Sequence, residues 1–327
     1  MPKVSVIVPV YNAHVYVERA LVSLMEQTLD DVEFIIIDDG SRDNSLAIIQ
    51  NVISNYPSRL AQVVLISREN RGVAATRMQG MELATGDYVI HLDSDDWAEP
   101  HWLEAMYERA ILDDSDVVIC DYSAIYNNKN VYVKQSISLN SDDCVSDLLC
   151  GKLFGVTWNK LIKRKLLLDS KVRFYDNINI LEDFIFITQV FIAARKISHV
   201  SKAYINYNRL NESSITSLFS VKKINDILTA TNVVDEIFKK NLYHDKFYMD
   251  IQYFKLRIKF WVLSISGVNT EVKTNNFWYL YPETDSVIWS SPMKIQNKII
   301  IYLGSIRFTL ISSMMICVLN RLRNIIR

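Results

Sequence analysis

Glycine and proline are scarce in this chain, at 8 and 6 of 327 residues. So few chain breakers argue against disordered linkers and for continuous helices and strands. The four cysteines, Cys120, Cys144, Cys150 and Cys317, show no C-x-x-C spacing. Neither a zinc site nor a disulfide framework is indicated, and reduced thiols in a cytosolic protein are expected. Charge of one sign is not in excess either: 36 Lys and Arg stand against 37 Asp and Glu. Nothing in that balance argues for a nucleic-acid partner. The apolar run Val4–Val10 is too short to span a bilayer and precedes no small-residue cleavage site, so it reads as a buried strand and no export signal is expected. The dinucleotide fingerprint G-x-G-x-x-G and the P-loop are also missing.

What is present is ample core material. Half the residues are hydrophobic and 22% are charged, enough for one large domain or two modest ones. Val4–Val10, Val32–Ile37, Val63–Ile66 and the run beginning at Tyr88 read as strands. Helical patterning lies between them: Val15 to Met25 with Asn12 as its N-cap, Leu46 to Tyr56 capped by Ser41 or Asp43, Val73 to Leu83, and later Pro100 to Leu112. This alternation predicts an α/β fold with right-handed crossovers and a mostly parallel sheet flanked by helices. Beyond residue 120 a hairpin is expected around Asn127–Asn130. Helices are expected at Asp142–Leu149, Asn159–Leu168 and Leu181–Ala194, and short strands at Ile197–Val200 and Tyr204–Tyr207. From about Val221 only helical patterning remains, so a boundary is placed near residue 218. That gives an N-terminal domain over residues 1–217 and a mainly helical region over 218–327.

The polar clusters fall at the carboxyl ends of the strands, where such sheets bind ligands: Tyr11-Asn12, Asp38-Asp39, Arg68 to Arg71, and Asp93-Ser-Asp-Asp96. The last packs like charges at a strand tip, which is costly unless a cation or a ligand answers them. In extended backbone Asp93 and Asp95 point to the same side, roughly 6.5 to 7 Å apart. That leaves room for a divalent metal. The alternative is a solvated acidic turn with Asp96 capping the helix near Pro100.

Four segments together resemble family 2 glycosyltransferases of the GT-A fold: Val4–Asn12, Ile36–Asp43, Asn70-Arg-Gly72 with Arg77, and Leu92–Trp97. The resemblance covers about the first 120 residues closely. It continues more weakly through Trp158-Asn-Lys-Leu161, Glu182-Asp183, Tyr207-Asn-Arg209 and Ser214-Ile-Thr216. It implies an inverting transfer from a nucleotide-sugar donor, expected to be UDP-linked, with Mg²⁺ or Mn²⁺ as cofactor. By that likeness Pro9, Tyr11, Asp38 and Asp39 belong to the base pocket. Tyr11 offers a ring face and Asp39 an acceptor for the imide N–H. Arg71 and Arg77 are candidates for diphosphate or base contacts, with a surface salt bridge as the competing reading. Asp95 is expected to bind the metal, Asp93 the ribose or the metal, and Asp96 to orient the sugar or its loop. Such hard cations favour carboxylate and phosphate oxygens.

The resemblance further implies that an acidic residue deprotonates the acceptor hydroxyl. Asp183 is the expected base, with Glu182 as the alternative. Trp158 is either a stacking face for an acceptor sugar or a core aromatic. The acceptor is expected to be a saccharide on a lipid carrier, in capsule or O-antigen synthesis. No acidic residue follows Asp285, while Lys294, Lys298, Arg307, Arg321, Arg323 and Arg327 are basic. The apolar helix near 297–327 is therefore read as lying on the inner face of the cytoplasmic membrane, or else as docked on the core. Two rival functions are a sugar-nucleotide nucleotidyltransferase, which would want a Gly-rich basic N-terminal loop, and a non-catalytic saccharide-binding relative.

Overall fold

The computed structural model describes residues 1–135, 138, 140–211, 221–266 and 277–326. The boundary expected near 218 and the segment Ser214–Thr216 lie outside them. The chain divides into two compact units, one of Met1–Val145 with Leu153–Glu212, the other of Ser146–Lys152 with Ser213–Arg327.

The first unit is built on a single curled mixed sheet. Strand β1 (Val4–Val10) pairs in parallel with β2 (Val32–Asp38) on one side and β4 (Tyr88–His91) on the other, and β2 pairs in parallel with β3 (Val63–Ser67). Val4, Val6, Ile7 and Val8 are wholly buried, each contributing about 1.5–3 kcal/mol of burial. That explains why β1 reads as a continuous apolar run. Helix α1 (Val17–Met25) buries Val17, Ala20, Leu21, Leu24 and Met25, a single face at helical spacing. Helices α2 (Ser45–Asn55) and α3 (Val73–Leu83) are the next crossovers, and α4 (Trp102–Asp113) follows the short strand β5 (Trp97–Ala98).

Beyond β4 the sheet becomes mixed. Its order is β3-β2-β1-β4-β8-β6-β9-β5, with β7 on β6. Strands β6 (Val117–Tyr126) and β7 (Lys129–Val133) form the hairpin, with its turn tightened to Asn127-Asn128. Helix α5 (Ser141–Cys150) follows. The helix expected over Asn159–Leu168 is in fact strand β8 (Lys160–Lys163) followed by a short helix α6 (Arg164–Asp169). Lys160, Leu161 and Ile162 are buried between β4 and β6, and so short an apolar run has no periodicity to tell strand from helix. Helix α7 (Glu182–Ala193) stands as expected. The two short strands near 200 are one long strand, β9 (Ile197–Asn208), whose register against β6 shifts around Asp121.

The second unit is helical: α8 (Val221–Lys240), α9 (Tyr248–Ser266), α10 (Ile295–Ser305) and α11 (Thr309–Ile326). Its core gathers Leu256, Phe260, Leu263, Ile288, Ile300, Ile301 and Ile316. Gly304 is required there: a Cβ would sit 2.0 Å from the Trp278 ring. Helix α11 docks Ile316 inward, with Met315 and Leu319 packed against the core, yet leaves Ile311, Met314 and Val318 exposed at 48%, 70% and 56%. It therefore has an inner and an outer apolar row. Among the described residues no helix is long and apolar enough to cross a membrane.

Candidate active site

The strand order reverses at β1 and β4, so the crevice outside their carboxyl ends is the natural ligand position. Tyr11 lies there, 49% exposed, just past β1, while Pro9 in β1 is half-buried and pairs with Ile37. Asn12 does not cap α1, whose N-cap is Tyr16. It adopts φ +48° and accepts from the Arg42 N–H at 2.8 Å, tying the β1 and β2 loops together. The N-cap of α2 is Asn44 rather than Ser41 or Asp43, although Asp43 Oδ1 accepts from the Ser45 N–H at 3.0 Å.

Asp38 and Asp39, at the end of β2, are both buried. Asp38 accepts from Ser41 N at 3.2 Å and Ser67 Oγ at 2.8 Å. Asp39 accepts from the backbone N–H groups of Arg71 and Gly72, each at 2.9 Å, and from the Arg68 guanidinium. A carboxylate offers about four acceptor positions, so one remains on Asp39 for a ligand donor. Gly72 takes φ +87° to present its N–H, and a Cβ there would meet Asn179 Oδ1 at 2.6 Å. The Arg71 side chain is exposed.

The acidic tip is a tight turn rather than extended backbone. The Asp96 N–H donates to the Asp93 carbonyl at 3.1 Å, so the alternating geometry of a strand no longer sets the spacing of Asp93 and Asp95. Nor does Asp96 cap the following helix, whose N-cap is His101. Asp96 is buried and accepts instead from the Asn208 N–H of β9 at 2.7 Å. Burial, and then the charges of Asp95 and Asp93, hold its carboxyl well above the usual range. Burial and then Asp93 likewise raise Asp95, whose Oδ2 accepts from Asn211 Nδ2 at 2.8 Å. Arg19 stacks on the Trp97 ring, 3.4 Å from its centroid.

These oxygens suit a hard divalent cation. Asp93 Oδ2 and Asp95 Oδ1 are the positions not taken by Arg77 and Asn211, and Asp96 Oδ2 is buried with no hydrogen-bond partner among the described residues. Among those residues, no group of three or more His, Cys, Asp or Glu could hold a metal by itself. A site of one or two carboxylates completed by substrate phosphate is a common habit of Mg²⁺.

Arg77 is where the structure departs furthest from the sequence reading. Its side chain is 4% exposed and lies among three carboxylates, a salt bridge as the competing reading had it, but buried rather than at the surface. Nη2 donates to Asp93 Oδ1 at 2.7 Å, and Nη1 meets Glu182 Oε1 at 2.7 Å and Asp183 Oδ1 at 2.6 Å. Burial opposes the guanidinium charge, but Asp183, Asp93 and Glu182 outweigh it and raise its pKa. Asp183 is pushed up to about 7, chiefly by burial, with Arg77 opposing and Glu182 and Asp93 adding. Its Oδ2 accepts from Thr157 N and Oγ1 at 3.4 and 3.3 Å. Trp158 also needs correction as an acceptor platform. It is 1% exposed, with Tyr122 edge-on at 4.9 Å and Tyr207 tilted over it at 5.3 Å. The exposed ring of that cluster belongs to Phe154. Sequence reasoning missed Thr157, Asn211 and the Arg77 bridge. The partners lie 26, 116 and 105 residues apart, so no local spacing signals them.

Comparison with known proteins gives this arrangement a family. Residues 5–170 match the model for glycosyl transferase family 2. The cholesterol galactosyltransferase of Borreliella burgdorferi is 33% identical over 273 residues, 77% of this chain and 74% of that one. EpsH of Bacillus subtilis is 33% identical over 228 residues, 68% of this chain and 64% of that one. The S. aureus TarS 1-349 structure in complex with UDP-GlcNAc superposes with a TM-score of 0.71 at 19% identity, over 92% of this chain and 87% of that one. That likeness shows a shared GT-A-like fold. The chain belongs to glycosyltransferase family 2, and it is a glycosyltransferase. The nucleotidyltransferase and non-catalytic readings are thereby set aside.

Proposed function

We propose that this glycosyltransferase moves a hexose, with inversion, from a UDP-linked donor to a hydroxyl of a lipid-carrier-linked saccharide. Surface-polysaccharide assembly at the inner face of the cytoplasmic membrane is the setting. One observation carries the reading: a single guanidinium, Arg77, holds both the acidic tip through Asp93 and a carboxylate of pKa about 7, Asp183. A general base works best with a pKa near the operating pH. Glu182 takes a direct hydrogen bond from Arg77, whereas Asp183 also accepts from Thr157. That favours Asp183 as the base and Glu182 as a counter-charge.

In this mechanism the Tyr11 ring stacks on the base and Asp39 accepts its imide N–H, with Pro9 and Asp38 shaping the pocket. Arg71 faces the diphosphate and Asp93 the ribose. Asp96, anchored to β9, fixes the turn. Mg²⁺ or Mn²⁺ held by Asp95 and Asp93 would supply positive charge to the departing diphosphate, worth several kcal/mol in similar chemistry. Asp183 takes the acceptor proton as the hydroxyl oxygen forms its bond to the anomeric carbon. The bond to the diphosphate breaks on the opposite face, and UDP leaves with the electron pair. TarS was captured with UDP-GlcNAc and with UDP, which supports a uridine donor. The poly(ribitol-phosphate) beta-glucosyltransferase of Bacillus spizizenii, 32% identical over 210 residues, 63% of this chain and 32% of that one, supports a cell-surface polymer setting. The outer apolar row of α11, with the acid-free basic sequence around it, supports the membrane surface.

The test is a panel of nucleotide sugars screened for Mn²⁺-dependent hydrolysis and thermal stabilisation, with single-turnover transfer by Asp183→Asn. UDP-sugars should stabilise the protein, and Asp183→Asn should lose transfer while still binding donor. Stabilisation by no UDP-sugar would refute the donor assignment, and normal transfer by Asp183→Asn would refute the base.

A further inference from the structure

The Trp158-Asn-Lys-Leu161 segment has no part in the chemistry above, yet it contains a lysine with no exposure at all. Lys160 is 0% exposed, as are Thr157 and Asn159. Its ammonium has three N–H donors, and each has a partner at 2.8 Å: the carbonyls of Phe154 and Val156, and Asn159 Oδ1. The Lys160 N–H also donates to the Thr157 carbonyl at 3.1 Å. Asn159 is held in turn, its Nδ2 donating to the Cys120 carbonyl of β6 at 3.0 Å. One residue therefore gathers three carbonyls of the loop 154–157 and fastens them to the sheet.

An unpaired buried ammonium is expensive, and a core position could be filled by Leu or Met without that cost. The loop it fastens ends at Thr157, whose N–H and hydroxyl both point at Asp183 Oδ2. Those are the only side-chain and backbone donors on Oδ2 among the described residues, while Oδ1 faces Arg77.

We propose that Lys160 and Thr157 are positioning residues for the base. Lys160 fixes the loop, and the loop's Thr157 fixes the rotamer and charge of Asp183, so that the carboxylate meets the acceptor hydroxyl in its ionised form. This rests on Asp183 being the base. The charged groups that act on Asp183 are Arg77 from α3, Asp93 after β4, Glu182 from α7 and Lys160 from β8. Thr157 supplies its neutral donors. Burial pushes Lys160 down to about 7, with Asp183 the first influence opposing it.

The experiment compares Thr157→Val, Thr157→Ser and Lys160→Met with the wild-type chain across pH 5.5 to 9, using a UDP-sugar and a soluble saccharide acceptor. Thr157→Val keeps the shape and the N–H but removes the hydroxyl donor. Losing a donor to a carboxylate favours its protonated form, so the acidic limb of kcat should move up in pH by about half a unit to one unit. kcat at pH 7 should fall about two- to fivefold with donor KM unchanged, and Thr157→Ser should restore both. Lys160→Met should repeat the shift where it folds; where it does not, the Thr157 pair decides. A Thr157→Val enzyme with altered melting temperature but a wild-type pH profile, or one that Ser fails to rescue, overturns the proposal. Asp183→Asn run alongside separates the two readings. If it is inactive while Thr157→Val is normal, only the positioning role falls; if it transfers normally, both fall.

Discussion

Replacing Arg77 by Met should destabilise the fold in a way that depends on pH, and the structure sets both the size and the direction. The guanidinium is 4% exposed and faces Asp93, Glu182 and Asp183 at 29%, 14% and 14% exposure. Breaking a buried ion pair costs about 3–5 kcal/mol because it strands a charge. Partial exposure of the carboxylates lets water answer some of it, so the lower end, about 3 kcal/mol at pH 8, is expected. The pH dependence follows from Asp183. Its folded pKa of about 7 lies above the ordinary 3.8, so between these values the folded state holds a proton that the unfolded chain has released. Its contribution to stability therefore falls as pH rises through that window, by on the order of 4 kcal/mol in all. Without Arg77 the folded pKa rises further and the penalty at pH 8 grows. At pH 5.5 Asp183 is protonated in both proteins, and the cost of Arg77→Met should shrink to about 1–2 kcal/mol. Urea unfolding at the two pH values measures this. In an Asp183→Asn background the same substitution should cost at least about 1 kcal/mol less at pH 8. A loss that is equal at both pH values, or unchanged by Asp183→Asn, would show that Arg77 does not bear on the Asp183 charge.

Asp95→Asn relieves a carboxylate that burial and Asp93 both penalise. It should leave unfolding stability unchanged or raised by up to about 1 kcal/mol while abolishing Mn²⁺-dependent turnover; undiminished activity in excess chelator would remove the metal role. Trp158→Ala should cost about 3–5 kcal/mol in unfolding as a core truncation, whereas Trp158→Phe should keep the acceptor KM within about twofold. A large acceptor KM change with normal stability would return Trp158 to the acceptor site. Ile311→Ser, Met314→Ser and Val318→Ser together strip the outer row of α11. They should reduce sedimentation with anionic vesicles by more than about fivefold without altering kcat on a soluble acceptor, and unchanged sedimentation would rule that row out as the membrane contact.

The parallel half of the sheet was legible because β1, β2 and β4 are buried and read as apolar runs, β2 broken only by Glu33, and each ends in a polar cluster. Strand β3, a half-exposed edge strand, was legible from its short apolar run alone. Asp38, Asp39, Asp93 and Asp95 could be picked out from those polar ends. Strand β8 could not. It is four residues long with a lysine at each end, and its identity comes only from filling the slot between β4 and β6. Lys160 reads as a surface residue and is wholly buried, a state decided by three carbonyl partners that sequence does not display. Trp158 was open between core and surface for a similar reason: its aromatic neighbours come from β6, β9 and its own loop. Arg77 was open because its partners sit on α7 and past β4. For β8, Trp158 and Arg77 the deciding contacts come from distant parts of the chain, whereas for Lys160 they come from its own loop, whose path the local pattern does not display.

The antiparallel direction of β8 also explains how Thr157 reaches Asp183. In a purely parallel sheet, the segment entering a strand lies at the edge opposite the ligand crevice. Because β8 runs antiparallel to β4, with Tyr88 opposite Lys163 and Val89 opposite Ile162, the chain enters β8 at the edge where β4 ends. Thr157, just ahead of β8, is thereby brought to the side of the sheet that carries Asp93. Helix α3 begins at the same edge, after β3, which places Arg77 early in the helix and over the end of β4. Helix α7 brings Glu182 and Asp183 in its first turn, where the helix dipole favours carboxylates. Two carboxylate clusters of like charge would not share an edge unaided, and Arg77 is the cation that lets them.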